Sequence, residues 1–204
     1  MEAAIASRAL SSLPLFFFLV LCFSAGTLTS AHSTSSAPAD FIRASCGATR
    51  YPALCVECLE SYAPAVRRSP RQLALAALSV TADRARSAST FVSRLTAGTK
   101  PAKSREAGAV QDCLETMRDG VDRLRQSVQE MHRMGQARSS RFRWHLDNVQ
   151  TWVSAALTDQ TTCLDSLAEN ASGRVRAAIR KKVVEVSQLT SNALALVNRL
   201  DPRN

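Results

Sequence analysis

Ala109-Val110-Gln111-Asp112-Cys113-Leu114-Glu115-Thr116-Met117-Arg118-Asp119-Gly120-Val121-Asp122-Arg123-Leu124-Arg125-Gln126-Ser127-Val128 decides the fold. Its apolar residues Val110, Leu114, Met117, Val121, Leu124 and Val128 step by 4, 3, 4, 3 and 4. That spacing keeps one stripe along a helix and turns it towards a partner helix. Met117 sits in the stripe, where methionine is core filler. On the other side Asp112, Glu115, Asp119 and Asp122 step by 3, 4 and 3, so they form an acidic ridge.

The flanking segments repeat the helical theme. Thr96 to Lys103 holds Gly98, Pro101 and two lysines and reads as a loop. Before it, Ser69-Pro70-Arg71-Gln72 places a capping serine, a proline at the first helical position and a glutamine at the third. The alanine-rich helix it starts runs to about Leu95, with Leu73, Val80, Phe91 and Leu95 apolar. Met131 to Arg141, with Gly135, several arginines and Ser139-Ser140, is expected to break the pattern. A helix from Trp144 to Leu167 follows, with Val149, Trp152, Val153, Ala156, Leu157 and Leu164 inward. The last runs from Gly173 to Leu200, with Val175, Ile179, Val183, Val186, Leu189 and Leu196 inward.

Asp40 to Ala63 reads as two short helices around a turn at Arg50-Tyr51-Pro52, because the residue before a proline leaves the helical region. Gly and Pro are few and alternating β-branched runs are missing. The expected fold is therefore all-α: an up-and-down four-helix bundle with an N-terminal helical hairpin, spanning 40–200.

The first 31 residues read as a secretory signal peptide. Arg8 precedes the apolar run Leu13 to Phe23, interrupted only by Pro14, and small residues follow. The run is shorter than the roughly 20 apolar residues a membrane span needs. Cleavage is expected after Ala31, with Gly26 as the second choice. His32 to Ala39, rich in Ser, Thr, Pro and Ala, reads as a flexible leader. No later segment is apolar enough to cross a membrane.

Cys22 departs with the signal peptide, leaving Cys46, Cys55, Cys58, Cys113 and Cys163 in an oxidising setting. Spacing alone does not choose among the connectivities. Antiparallel neighbours, however, bring the start of the second long helix to the end of the third, which favours Cys113–Cys163. Cys46 then pairs with Cys55 across the hairpin turn, and Cys58 is the odd thiol. Cys55-Val56-Glu57-Cys58 lacks the βαβ surroundings of a redox site and a second Cys/His pair for zinc. No metal or cofactor is expected.

The formal charge of +9 belongs to the mature chain, because Glu2 and Arg8 cancel in the leader. Nucleic acid fits poorly with export, and no zinc finger, aromatic RNA-binding motif or concentrated basic helix is read. An extracellular polyanion such as an acidic wall polysaccharide matches better. The carboxylates are dispersed, Asp83 and Asp147 included, and no nucleophile–base arrangement is suggested, so no catalysis is expected. Asn170-Ala171-Ser172 is a glycosylation sequon before the last helix.

Three tracts carry a resemblance. Asn148-Val149-Gln150-Thr151-Trp152-Val153-Ser154-Ala155-Ala156-Leu157-Thr158-Asp159 with Thr162-Cys163-Leu164-Asp165, the stretch Ala109 to Glu115, and Ser191 to Leu196 resemble the plant invertase and pectin methylesterase inhibitor family. The likeness covers roughly Phe41 to Leu200. It implies the four-helix bundle, the hairpin extension and the two disulfides. This chain departs in its unpaired cysteine, which many members carry near their end. Here it is Cys58, close enough to compete with Cys55 for Cys46.

Invertase inhibitors in the family tend to carry Pro-Lys-Phe before the third long helix, whereas this chain has Ser140-Arg141-Phe142-Arg143-Trp144. Thr151-Trp152-Val153-Ser154 is typical of the esterase side. The resemblance thus implies a secreted inhibitor of pectin methylesterase in the plant cell wall, acting as a 1:1 complex. Acid invertase is the alternative target, and a non-inhibitory polyanion-binding wall protein the further one. An esterase-fused propeptide is not expected, since the chain ends at Asn204. By resemblance Glu115, Asp119, Asp122, Gln150 and Thr162 contact the enzyme, with bundle helices lying across its polysaccharide cleft.

Overall fold

Serines and prolines set the helix starts. Ser69 Oγ accepts a hydrogen bond from Gln72 N at 3.3 Å, and Ser139 Oγ accepts one from Phe142 N at 3.0 Å. Each satisfies a first-turn N–H that no helical carbonyl can reach. The computed structural model describes residues 37–97, 105–137, 139–171 and 173–202. The signal peptide, most of the leader, the Gly98–Lys103 part of the predicted loop and Ser172 of the sequon lie outside the described residues.

Helices α1 (Ala37–Cys46) and α2 (Pro52–Leu59) form the hairpin, followed by a 3-10 turn (Glu60–Tyr62) and the short α3 (Ala63–Val66). The long helices are α4 (Pro70–Ala97), α5 (Arg105–Arg133), α6 (Ser140–Asn170) and α7 (Gly173–Asn198). Strands are absent among the described residues. The long helices close a ring in the order α4, α5, α6, α7, with α5 and α6 packed most extensively. Leu73, Leu78, Met117, Leu124, Met131, Leu146, Leu167 and Ile179 on these helices are almost wholly buried, as is Ile42 of the hairpin. Each such side chain contributes about 1.5–3 kcal/mol.

The predicted bundle, hairpin and disulfides are all present. Cys46–Cys55 closes at 2.00 Å and Cys113–Cys163 at 2.02 Å, leaving Cys58 free and half-buried. Several boundaries differ. Helix α5 continues to Arg133 instead of breaking at Met131, because Met131 and Met134 are both buried and extend its apolar stripe. Ser139-Ser140 is then a capped start, not a break. Helix α1 begins at Ala37, inside the predicted leader, and buries Ala39. Val175, expected inward, is 40% exposed. Ile179 is the first residue of α7 to reach the core, so the preceding turn lies beyond it. Trp152, Leu157 and Leu164 are half-buried at the seams.

Two side chains tie remote parts together. Arg71, in the first turn of α4, donates to the carbonyls of Met131, Met134 and Gly135 at 2.9, 2.7 and 3.3 Å. Its guanidinium thereby caps the C-terminus of α5, where carbonyls lack partners and a positive charge is favoured. Asn192 on α7 accepts from Tyr51 N at 3.0 Å and donates to Tyr51 O at 2.9 Å. That pins the hairpin turn to the bundle.

Candidate protein-binding face

The acidic ridge is real and solvent-facing. Asp112, Glu115, Asp119 and Asp122 are all exposed along α5, a helix of 29 residues and so about 43 Å long. Gln111 donates to Glu115 at 3.0 Å, one turn along the same face. The ridge is not isolated: Arg118 and Arg125 are exposed in the neighbouring row, and Arg123 is half-buried beside it.

The structure extends this face across to α6. Arg123 donates to Asp159 at 3.2 Å. Burial pushes the Asp159 carboxyl above the usual aspartate range; Arg123 opposes the shift and the charge of Asp119 adds to it. Sequence reading missed Asp159 as part of the face, since it lies 40 positions from Asp119 and nothing local joins them. Gly120 explains the closeness of the two helices. A Cβ there would meet Ala156 O and Asp159 Cβ at 3.6 Å.

Seven residues beyond Arg123, the α5–α6 seam reaches Glu130, a buried carboxylate just before the segment where a break was expected. Its carboxylate accepts from Asn148 Nδ2 at 2.8 Å, and His145 Nδ1 lies 2.8 Å away. A carboxylate can only accept, so Nδ1 carries the proton. Arg133 approaches the other oxygen at 3.6 Å. Burial alone would raise Glu130, but the Asn148 and His145 hydrogen bonds and the nearby positive charges hold it below the ordinary glutamate range. By helical period Glu130 falls about opposite the apolar stripe, so nothing local in the sequence signalled its burial.

The expected contact residues divide into two groups. Thr162 is exposed on α6 beside Cys163, whose disulfide to Cys113 brings it near the Asp112–Glu115 end of the ridge. Glu115, Asp119, Asp122 and Thr162 therefore share one face. Gln150 does not join them. It donates to Asn198 on α7 at 3.0 Å, and twelve positions separate it from Thr162, about 18 Å and about 120° of rotation. Asn170, the sequon asparagine, is half-buried and donates to Ser166 O at 3.2 Å. Asp83 is exposed and pairs with Arg86, and Asp147 is exposed as well. Among the described residues no cluster of His, Cys, Asp and Glu could hold a metal, and no helix is long and apolar enough to cross a membrane.

Helix α7 corrects another expectation. Its first three turns carry Arg174, Arg176, Arg180, Lys181 and Lys182, all exposed. A concentrated basic helix is present after all; the valines and alanines interspersed among the cations had masked it.

A rigid, cross-linked helical face with exposed carboxylates is suited to binding a protein. Comparison with known proteins accords with that. The family profile of plant invertase/pectin methylesterase inhibitors matches residues 40–196. "Pectinesterase inhibitor 9" of Arabidopsis thaliana is 50% identical over 187 residues, covering 89% of this chain and 92% of that protein. A "21 kDa protein" of Daucus carota is 44% identical over 168 residues, covering 81% and 86%. The crystal structure of a pectin methylesterase inhibitor from Arabidopsis thaliana superposes with a TM-score of 0.56 at 21% identity, covering 81% of this chain and 98% of that one. At that identity the likeness speaks for the fold. The chain belongs to the plant invertase/pectin methylesterase inhibitor family.

Proposed function

We propose that this chain is a secreted inhibitor that binds pectin methylesterase through the α5–α6 face and obstructs its polysaccharide cleft. The observation carrying the proposal is the 50% identity, across nearly the whole of both chains, to a protein named a pectinesterase inhibitor. The structure supplies a means. Glu115, Asp119, Asp122 and Thr162 lie on a surface stiffened by Cys113–Cys163, so little ordering is needed on binding. A typical inhibitor interface buries roughly 1,200–2,000 Å², which a face of this length can provide. The complex is 1:1 and the protein acts in the cell wall outside the plasma membrane, where Asn170 is available for glycosylation. Gln150 has a separate role in this reading: it joins α6 to α7.

Invertase is the competing target. Ser139 caps α6 immediately before Ser140-Arg141-Phe142-Arg143-Trp144, without the proline that marks invertase inhibitors. The test is to titrate the protein separately into purified pectin methylesterase and acid invertase. Stoichiometric loss of esterase activity with invertase untouched is the expected result. Inhibition of invertase alone, or of neither enzyme, refutes the proposal.

A further inference from the structure

The start of α7 concentrates positive charge at the positive pole of a helix. Its five cations fall within nine positions, and no carboxylate occurs between Glu169 and Glu185. A helix N-terminus is itself positive, so this is the wrong pole for them. Arg176 and Arg180 are also like charges one turn apart, a destabilising spacing. Arg176 has an internal use: it donates to the carbonyls of Ala168 and Ala171, both at 3.4 Å. Arg174, Arg180, Lys181 and Lys182 form no ion pair among the described residues, as Arg118, Arg125, Arg141 and Arg143 form none; what sets α7 apart is the density of its cations.

Beside this run lies a groove between α4 and α7, lined by Arg84, Ser87, Phe91, Lys182 and Glu185. Glu185 answers Arg84 at 3.6 Å, leaving the Lys182 charge uncompensated. The groove thus offers a free ammonium, a hydroxyl and an aromatic edge. In the ring of helices α7 stands diagonally across from α5, so the basic face and the acidic ridge can be occupied together.

We propose that this face binds a linear polyuronate, with Arg174, Lys181 and Lys182 meeting its carboxylates and the groove taking a sugar ring. These three lie within about 100° of one another round α7, and Arg180 points away from the groove side, about 160° from Lys182. Identifying the anion rests on the proposed function. Hydrolysis of a pectin methyl ester consumes water and yields methanol, a carboxylate and a proton. The polymer around the target enzyme therefore gains negative charge as the reaction proceeds, and a cationic face would hold the inhibitor on chains already processed.

The test measures binding of the whole protein to polygalacturonate and to fully methyl-esterified pectin, with no esterase present. Polygalacturonate should bind, weakening as salt rises from about 50 to about 200 mM, and the neutral ester should not. Replacing Arg174, Lys181 and Lys182 with Gln should weaken binding by roughly tenfold or more. A control carrying Arg118→Gln, Arg125→Gln and Arg143→Gln loses the same net charge and should bind nearly as the parent does. Equal loss in both variants, no loss in the α7 variant, or equal binding of the neutral ester overturns the assignment. So does tighter binding to duplex DNA or to anionic lipid vesicles at the same salt. Inhibition assayed on short methylated oligomers reports on the α5–α6 face alone. Its failure would refute the esterase reading without deciding whether α7 holds polyuronate.

Discussion

Replacing Glu130 with alanine probes the least expected part of the α5–α6 seam. The substitution strands His145 Nδ1–H, which is buried, and Asn148 Nδ2–H, which is half-buried; both now donate to one carboxylate at 2.8 Å. A buried donor without a partner costs about 1–3 kcal/mol, and the partly wet amide about 1 kcal/mol or less. Relief of burying a carboxylate offsets part of this. The net loss is about 1–3 kcal/mol, or roughly 2–12 °C in melting temperature for a domain of this size. Glu130→Gln keeps one acceptor and should lose about half as much.

Acid should act in the same direction. Glu130 titrates below its unfolded value of about 4.3, so its contribution is complete above that pH and disappears as pH falls through the lower folded value. Asp159, held above its usual range, has the opposite sign: its protonation relieves a cost and does so at higher pH. Urea unfolding at neutral pH and near pH 3, for the parent and both variants, is the assay. A Glu130→Ala loss below about 0.5 kcal/mol, or an unchanged acid dependence, would mean that water already serves these donors and the reasoning fails.

Asp119→Lys should weaken esterase inhibition by about tenfold or more, mainly through slower association, while circular dichroism stays the same. Unaltered inhibition would remove the ridge from the interface. Arg71→Lys should cost about 1–3 kcal/mol in urea unfolding, because an ammonium cannot span the three carbonyls that the planar guanidinium reaches; full stability would show that the cap is idle. Asn192→Ala should destabilise by about 1–3 kcal/mol and expose the 47–51 turn to proteases before the bundle unfolds. Simultaneous cleavage everywhere would contradict that separation. Gly120→Ala, whose methyl finds ordinary contact distances, should be neutral or stabilising by up to about 1 kcal/mol. Gly120→Leu should force α5 and α6 apart and lower the midpoint sharply.

The fold was legible because its decisive signals are local. The stripe from Val110 to Val128, the Ser69 cap and the pre-proline turn at Tyr51 each act within a few residues. Helix order then brought Cys113 to Cys163. The errors have a common origin. Met131 and Val175 were assigned from composition and period, yet their burial depends on where the neighbouring helix stops. The site was only half legible. Charge spacing on α5 identified the ridge, but Asp159 and Glu130 acquire their roles from residues 36 and 15 positions away, respectively. Gln150 lies on a face that only the packing of α7 defines.

The tie between Tyr51 and Asn192 spans 141 positions, and it imposes a sequence of events on a growing chain. At roughly 5–20 residues per second, the hairpin leaves the ribosome about 7–28 s before the asparagine that anchors it. During that wait the nine-residue Cys46–Cys55 loop can close on its own. A preformed, oxidised clip is then ready when the last helix arrives, and newborn molecules depend on their oldest segment waiting for their youngest.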